Sequence, residues 1–365
     1  MSDALATILA KAVEHPHNLA LAELETLLGI EDPEELSRMF DAARKLKLKC
    51  CGQGIAMRGL VEAGNTCAKD CFYCGIRKSN AAVARYSLSA DEIVAAAEES
   101  KALGYASLVI QSGEIESESH TAFIENVLER IRHLNLGVTL SLGEQEESVY
   151  ARWKAAGASR YLLRIETSNP ELYARIHPAE CDWVRRVECL RALRRTGYQV
   201  GTGVMCMLPG QTLADLARDI EFYARMDVDM IGMGPYIPHE QTPLGQEAGR
   251  VTAEERLLMG LKMIAVTRLF LHDVNIAAAT ALQALAEDGR ERGVMAGANV
   301  IMPNITDVRY RRSYQLYAGK PCLIENAGMC RGCLERRLES IGETVLYGQY
   351  GDSRHYQKRQ DGGCL

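Results

Sequence analysis

Eight short apolar runs alternate with amphipathic stretches from Ala56 to Met302, and few architectures accept that order. The runs are Ala56–Glu62, Ser107–Gln111, Gly137–Leu142, Arg160–Glu166, Gln199–Met205, Met230–Pro235, Asn275–Thr280 and Asn299–Met302. Each has the length of a strand, and the stretches between them carry apolar residues at helical spacing. Ile124, Val127, Leu128, Ile131 and Leu134 make one such face; Leu216, Ile220, Tyr223 and Met226 make another. Gly104, Gly157 and Gly197 stand just before the next run, as glycine does at a helix C-terminus. Alternation of this kind over about 250 residues predicts an α/β fold, a (β/α)8 barrel of the TIM type. An open doubly wound sheet competes, but a cysteine loop follows the first run where a Gly-rich nucleotide fingerprint would stand.

The flanks differ from the repeat. Leu21–Leu28 and Pro33–Leu46 read as helices, with Asp32-Pro33 as a start signal between them. The expected organisation is an N-terminal helical extension over 1–53, a barrel over 54–305 and a C-terminal cap over 306–365.

The loop after the first run reads Gly64-Asn65-Thr66-Cys67-Ala68-Lys69-Asp70-Cys71-Phe72-Tyr73-Cys74. Cys67, Cys71 and Cys74, spaced C-x3-C-x2-C, suit a [4Fe-4S] cluster, which ordinarily takes four thiolates. Three leave one iron open to a small molecule, as a catalytic zinc site keeps one position free. A zinc knuckle is the alternative, but it usually pairs two C-x2-C units or adds histidines. His15 and His17 are the only histidines before Cys74.

Composition removes other classes. A net charge of −6 leaves no basic footprint for nucleic acid. No apolar run approaches the roughly 20 residues that span a bilayer. Twelve cysteines diluted through 365 residues, with no secretion signal, point to a reducing cytoplasmic compartment.

Several strands end in polar residues where a barrel has its mouth. Period-two alternation puts Arg164 and Glu166 on one face of the fourth strand and Tyr161, Leu163 and Ile165 on the other. Thr139 and Ser141 alternate likewise with Val138, Leu140 and Leu142. The second strand ends Gln111-Ser112-Gly113-Glu114, and the seventh ends at Thr280. These ends predict a polar cavity, with structural ion pairs filling a wide barrel as the plainer alternative.

The cysteine loop, with Tyr73 before its third cysteine, resembles that of the radical S-adenosylmethionine (SAM) superfamily. Cys71-Phe72-Tyr73-Cys74-Gly75-Ile76-Arg77, Thr139-Leu140-Ser141-Leu142-Gly143-Glu144, Tyr161–Thr167, Leu208-Pro209-Gly210-Gln211-Thr212, Gly234–His239, Ala298–Asn304 and Tyr314-Gln315-Leu316-Tyr317 look like the [FeFe]-hydrogenase maturase (HydE) group. Biotin synthase and methylornithine synthase share the fold. The resemblance implies that Cys67, Cys71 and Cys74 hold a [4Fe-4S] cluster whose open iron SAM chelates. It implies reductive cleavage of SAM to a 5′-deoxyadenosyl radical, in an enzyme of hydrogenase maturation. Ser112-Gly113-Glu114 takes the place of the family's Gly-Gly-Glu turn, whose backbone holds the SAM amino group. Tyr73, Gln111 and Ser141 would join the cofactor site, Glu166 would engage the ribose or amino group, and Arg186 the carboxylate. The adjacent Arg185 leaves that last assignment open by one position. Thr139, Arg164, Thr280 and Tyr317 would line the cavity for a small organometallic iron–cysteine complex, received from the partner maturase HydG, and a reducing electron donor would serve the cluster. Ile165 stands where some members carry histidine.

Cys322, Cys330 and Cys333 form a second group, suited to an additional iron–sulfur cluster or zinc. Cys50, Cys51, Cys181, Cys189, Cys206 and Cys364 have no partner at ligand spacing and read as small apolar side chains.

Overall fold

The computed structural model describes residues 3–247 and 249–362; Cys364 lies outside them. The strands are β1 (Gly54–Gly64), β2 (Ser107–Ser112), β3 (Gly137–Ser141), β4 (Ala158–Leu162), β5 (Gln199–Thr202), β6 (Met205–Cys206), β7 (Met230–Ile231), β8 (Gly234–Pro235), β9 (Asn275–Ile276), β10 (Val300–Ile301) and β11 (Thr344–Leu346). Parallel pairing runs β10-β1-β2-β3-β4-β5-β7-β9. A parallel bridge between Ala277 and Val300 brings β9 back to β10 and closes the ring. The short pair β6–β8 continues β5 and β7 toward the mouth. Between the halves Gly203 and Gly232 pass so closely that a Cβ on Gly203 would stand 2.1 Å from the Gly232 carbonyl.

The predicted fifth and sixth strands break at Thr202 and Ile231 and resume as β6 and β8, and the fourth and seventh stop early. The ladder of β9 with β7 ends at Ile276 and Ile231, and only the bridge from Ala277 to Val300 follows it. The chain then turns, and Thr280 becomes the first residue of the helix Thr280–Leu285 rather than a strand end. The fourth strand leaves the ladder at Leu162 but stays extended, with Leu163 N bonded to Gly201 O and Glu166 bridged to Val204. Ile165 is buried in the main core, while Arg164 and Glu166 face the other way within 3.0 Å of each other. The alternation read from the sequence holds through residues that carry no regular ladder.

The N-terminal helices Asp3–Glu14, Leu21–Leu28 and Pro33–Cys51 pack on the long helix Ala253–Leu271. Asp32 caps the third, accepting from the backbone N–H of Glu34 and Glu35 at 3.1 and 2.9 Å. Lys47, fully buried on that helix, pairs with Glu343 at 2.6 Å and ties it to the turn before β11.

Beyond residue 306 the chain serves both ends of the barrel. Residues 312–320 lie at the mouth, where Gly75 N bonds Leu316 O at 2.9 Å and Lys320 reaches Glu62 on β1. The helix Ala327–Ser340 then leads to β11, which pairs with the start of β1. Tyr350, Gly351 and Asp352 close the floor. Arg160 binds Tyr350 O at 2.8 Å and also Asp352, Asn275 binds Gly351 O at 2.8 Å, and Gln199 binds Asp352 at 2.7 Å. A backbone segment thus satisfies the polar side chains buried in the barrel base. Among the described residues no helix is long and apolar enough to cross a membrane.

Candidate active site

The cysteine loop is held by its own polar groups. Arg85 donates to the carbonyls of Asn65, Ile76 and Arg77 at 2.6, 2.8 and 2.6 Å. Asp70 grips Arg77 through two bonds of 2.9 and 2.8 Å, a bidentate pair that holds its carboxyl far below the usual range. Asn65 donates to Ala84 O at 2.9 Å and to Ser313 O at 2.6 Å. From outside, Phe72 N bonds Ile176 O at 3.0 Å. Polar groups other than the thiols thus brace the loop.

The turn after β2 meets this loop. A Cβ on Gly113 would lie 2.2 Å from Thr66 O and 2.8 Å from Cys67 Cβ, so only glycine fits there. Glu114 N donates to Cys67 Sγ at 3.3 Å, and Ala68 N bonds Glu114 O at 2.8 Å. Burial raises the thiol pKa values of all three cysteines, that of Cys74 to about 12; for Cys71 a hydrogen bond with Cys181 is the larger cause. A cationic iron–sulfur cluster would relieve that cost by taking them as thiolates. Three soft donors on one rigid loop, with a backbone N–H aimed at a sulfur, fit such a cluster.

A buried array of charge borders the cysteines. Lys69, inside the loop, stands 3.1 Å from Glu114, 3.2 Å from Glu144 and 3.7 Å from Glu116. Although burial works against its charge, the carboxylates of Glu114 and Glu144 hold its pKa above the ordinary value. Arg186 Nε lies 2.9 Å from Glu144, and Nη1 lies 3.8 Å from Glu114. Arg186 is 8% exposed at its side chain, whereas Arg185 is 42% exposed and pairs with Glu116 at 2.9 Å. Helix Trp183–Arg195 thus turns Arg186, of the two candidates, toward the cysteine loop.

Glu166 lies across from this array. Its φ of 65° is in the left-handed region, uncommon for a residue with a side chain. Bonds from Glu166 N to Gly203 O and from Met205 N to Glu166 O, both 3.0 Å, hold it there. Burial raises its carboxyl pKa, while the charges of Arg164 and Arg186 pull it down. Thr139 is fully buried on β3 with its hydroxyl unpartnered, Ser141 is half-buried at the strand end, and Gln111 donates to Tyr314 Oη at 3.0 Å. Ser112 Oγ turns back to Gly113 O at 2.7 Å. Tyr317 is half-buried, within electrostatic reach of Arg164.

Four residues beside the site escaped the sequence reading. Lys69 and Glu144 lay in quoted motifs, but nothing in their spacing announced an ion pair. His177, 1% exposed, has Nδ1 placed 3.0 Å from Tyr173 O and Nε2 placed 3.2 Å from Tyr73 Oη. Burial, then the charge of Arg186, lowers its pKa to about 3, so the neutral ring donates from Nδ1 and accepts from the tyrosine. Cys181 is hydrogen-bonded to Cys71, though no metal-ligand spacing connects them. Cys322 and Cys330 also meet through a hydrogen bond, which lowers the Cys322 pKa to about 6, while Cys333 is exposed.

Residues 61–223 match the model of the Radical SAM superfamily. Over 319 residues the chain is 40% identical to the [FeFe] hydrogenase maturase subunit HydE of Thermotoga maritima, covering 87% of this chain and 90% of that one. The 3-methylornithine synthase of Methanosarcina acetivorans is 26% identical over 76% of this chain and 77% of its own. Among solved structures, methylornithine synthase (PylB) superposes with a TM-score of 0.80 at 24% identity, over 93% of this chain and 98% of that one. HydG, a maturase of the [FeFe]-hydrogenase, gives the same TM-score at 20% identity, over 95% and 77%. Both superpositions match the (β/α)8 fold.

Proposed function

The chain belongs to the radical SAM superfamily, in the family of the hydrogenase maturase subunit HydE, and from that premise we propose that this radical SAM enzyme acts in assembly of the [FeFe]-hydrogenase active-site cluster. One observation carries the reading: Arg186 lies 3.8 Å from Glu114, whose backbone N–H donates to Cys67 Sγ and whose carboxylate meets Lys69 of the cysteine loop, so the charge directed at SAM borders the cysteines. When bound, the [4Fe-4S] cluster on Cys67, Cys71 and Cys74 and its SAM supply a 5′-deoxyadenosyl radical, directed in this reading at the sulfur of a small iron–cysteine complex received from HydG.

The chain's own residues position and shield. Arg186, already oriented by Glu144, takes the SAM carboxylate on a planar fork suited to two oxygens. The Ser112-Gly113-Glu114 turn and Glu166 receive the amino and ribose groups. Tyr73, anchored by His177, closes the pocket on the cysteine side and keeps water out. Thr139, Arg164, Thr280 and Tyr317 form the deeper wall for an anionic substrate. Cys322 and Cys330, with Cys333, would hold an additional iron–sulfur cluster outside the chemistry.

Anaerobic reconstitution followed by SAM and dithionite tests the enzyme. Methionine and 5′-deoxyadenosine are expected; an intact reduced cluster without them would leave a non-catalytic iron–sulfur carrier. Deletion of the gene tests the pathway, and fully active [FeFe]-hydrogenase in its absence would refute it. A biotin-synthase-type reaction needs further sulfur-donor ligands from the strands, where Cys206 is the only cysteine among the described residues.

A further inference from the structure

Arg290 is thinly satisfied for a buried arginine. It is 4% exposed on the helix Gly289–Met295. Arg58 likewise has no acidic partner, but at the barrel floor it reaches Gly351 O at 3.1 Å and Met230 Sδ. Arg268 is satisfied by the carbonyls of Gly297, His272 and Val274, and Arg311 by those of Thr306, Cys322, Glu325 and Asn304. Arg160 has Asp352, and Arg186 has Glu144. For Arg290 the structure gives one partner, the Thr280 hydroxyl, 2.9 Å from Nη2. Its Nε has none. The neighbouring Glu291 is taken by Arg337 at 2.9 Å, and no carboxylate among the described residues pairs with Arg290. A buried guanidinium left so incomplete is costly, and the cost is recovered when an anion completes it.

Its position says where that anion would come from. Thr280 opens the helix that follows β9 at the barrel mouth. Tyr317 feels the charges of both Arg290 and Arg164. The unpartnered Nε and the Nη2 beside it form the side-on edge of the guanidinium, which matches a planar carboxylate through two parallel bonds.

We propose that Arg290 and Thr280 form a subsite at the barrel mouth that binds the carboxylate of an amino-acid-derived ligand. The inference rests on the function proposed above and specifies it: the cysteine moiety of the substrate enters with its carboxylate on Arg290, which turns its sulfur toward the SAM pocket. The nearby thiols of Cys322 and Cys330 are the rival occupants, because the same charge reaches them.

The test is calorimetric titration of the reconstituted holoenzyme, SAM present, with S-methyl-L-cysteine and with 2-(methylthio)ethylamine, which lacks only the carboxylate. Wild-type protein is expected to bind the amino acid at least about tenfold more tightly, the worth of a charge-assisted bond. Arg290→Gln should abolish that preference, Thr280→Val should reduce it severalfold, and Arg290→Lys should restore part of it. Melting temperature checks that each variant is folded, and Thr280→Val carries the test if Arg290→Gln is not. No preference in the wild type, or an undiminished one in Arg290→Gln, overturns the subsite. So does a fall in bound iron per chain in Arg290→Gln without a change in preference, which would assign the guanidinium to Cys322 and Cys330. Wild-type SAM cleavage is read separately; its absence would refute the radical function while the carboxylate preference remained measurable.

Discussion

Glu144→Gln should separate the buried charge array from its exposed margin. Glu144 is 1% exposed and lies 2.9 Å from Arg186 Nε, 3.2 Å from Lys69 Nζ and 3.5 Å from Arg185 Nε. The amide keeps the shape and one hydrogen bond but removes the charge that three cations share. Breaking a buried pair from one side costs roughly 3–5 kcal/mol. Glu114 remains 3.1 Å from Lys69 and 3.8 Å from Arg186, and this partial compensation brings the expected loss to about 2–3 kcal/mol. With roughly 2.1 cal/mol/K of unfolding entropy per residue, a chain of 365 residues should lose about 3 °C in Tm. Glu116→Gln changes the 41%-exposed member of the same cluster and should cost under about 0.5 kcal/mol, a shift below about 1 °C. Differential scanning fluorimetry of both variants beside wild type measures the contrast. Equilibrium dialysis with SAM should show about tenfold weaker binding for Glu144→Gln alone, because Arg186 loses its orienting partner. Equal Tm shifts in the two variants, or unaltered SAM binding in Glu144→Gln, would refute the claim that the array positions Arg186.

Gly113→Ala forces a Cβ against Thr66 O and should displace the cysteine loop, seen as a reconstituted iron content well below that of wild type. Cys71→Ala should abolish 5′-deoxyadenosine formation whereas Cys330→Ala should leave it intact, measured by chromatography of anaerobic reactions. Burial works against the charge of His355, but hydrogen bonds to Asp227 and Asp273 carry its pKa up to about 9. That raised value makes the C-terminal helix Arg354–Gln360 a pH-dependent clasp. The stabilisation, on the order of 3 kcal/mol, is complete below about pH 6.5 and lost as pH rises through 9. Urea midpoints should fall across that window in wild type and stay flatter in His355→Gln.

Much of the architecture was legible because period and punctuation are local. Asp32-Pro33 starts a helix wherever it stands, and Gly104, Gly157 and Gly197 all adopt the positive φ expected of helix ends. The alternation that put Ile165 in the apolar core and Arg164 and Glu166 together on the opposite face depends only on extended backbone, so it survived the loss of the ladder. The end of the seventh strand was not legible. Thr280 opens a helix after the β7 ladder has ended at Ile231 and only the Ala277–Val300 bridge remains, a matter of the neighbouring strands rather than of residues 275–280. The closing of the barrel floor by Tyr350, Gly351 and Asp352 was equally hidden, since a carbonyl that satisfies a distant arginine has no sequence signature.

The sequence by itself determined the three-cysteine loop, its place after the first strand and the alternating order that builds the barrel. Those features rest on residue identity and short spacing, which a chain carries before it folds. The tertiary structure decided which groups surround the loop. It buried Arg186 and exposed Arg185, set Lys69 among three carboxylates, joined His177 to Tyr73 and Cys181 to Cys71, and left Arg290 without an acidic partner. Electrostatics and desolvation act through space, over a few ångströms between residues that lie tens to hundreds of positions apart, so only the closed barrel could assign those partners.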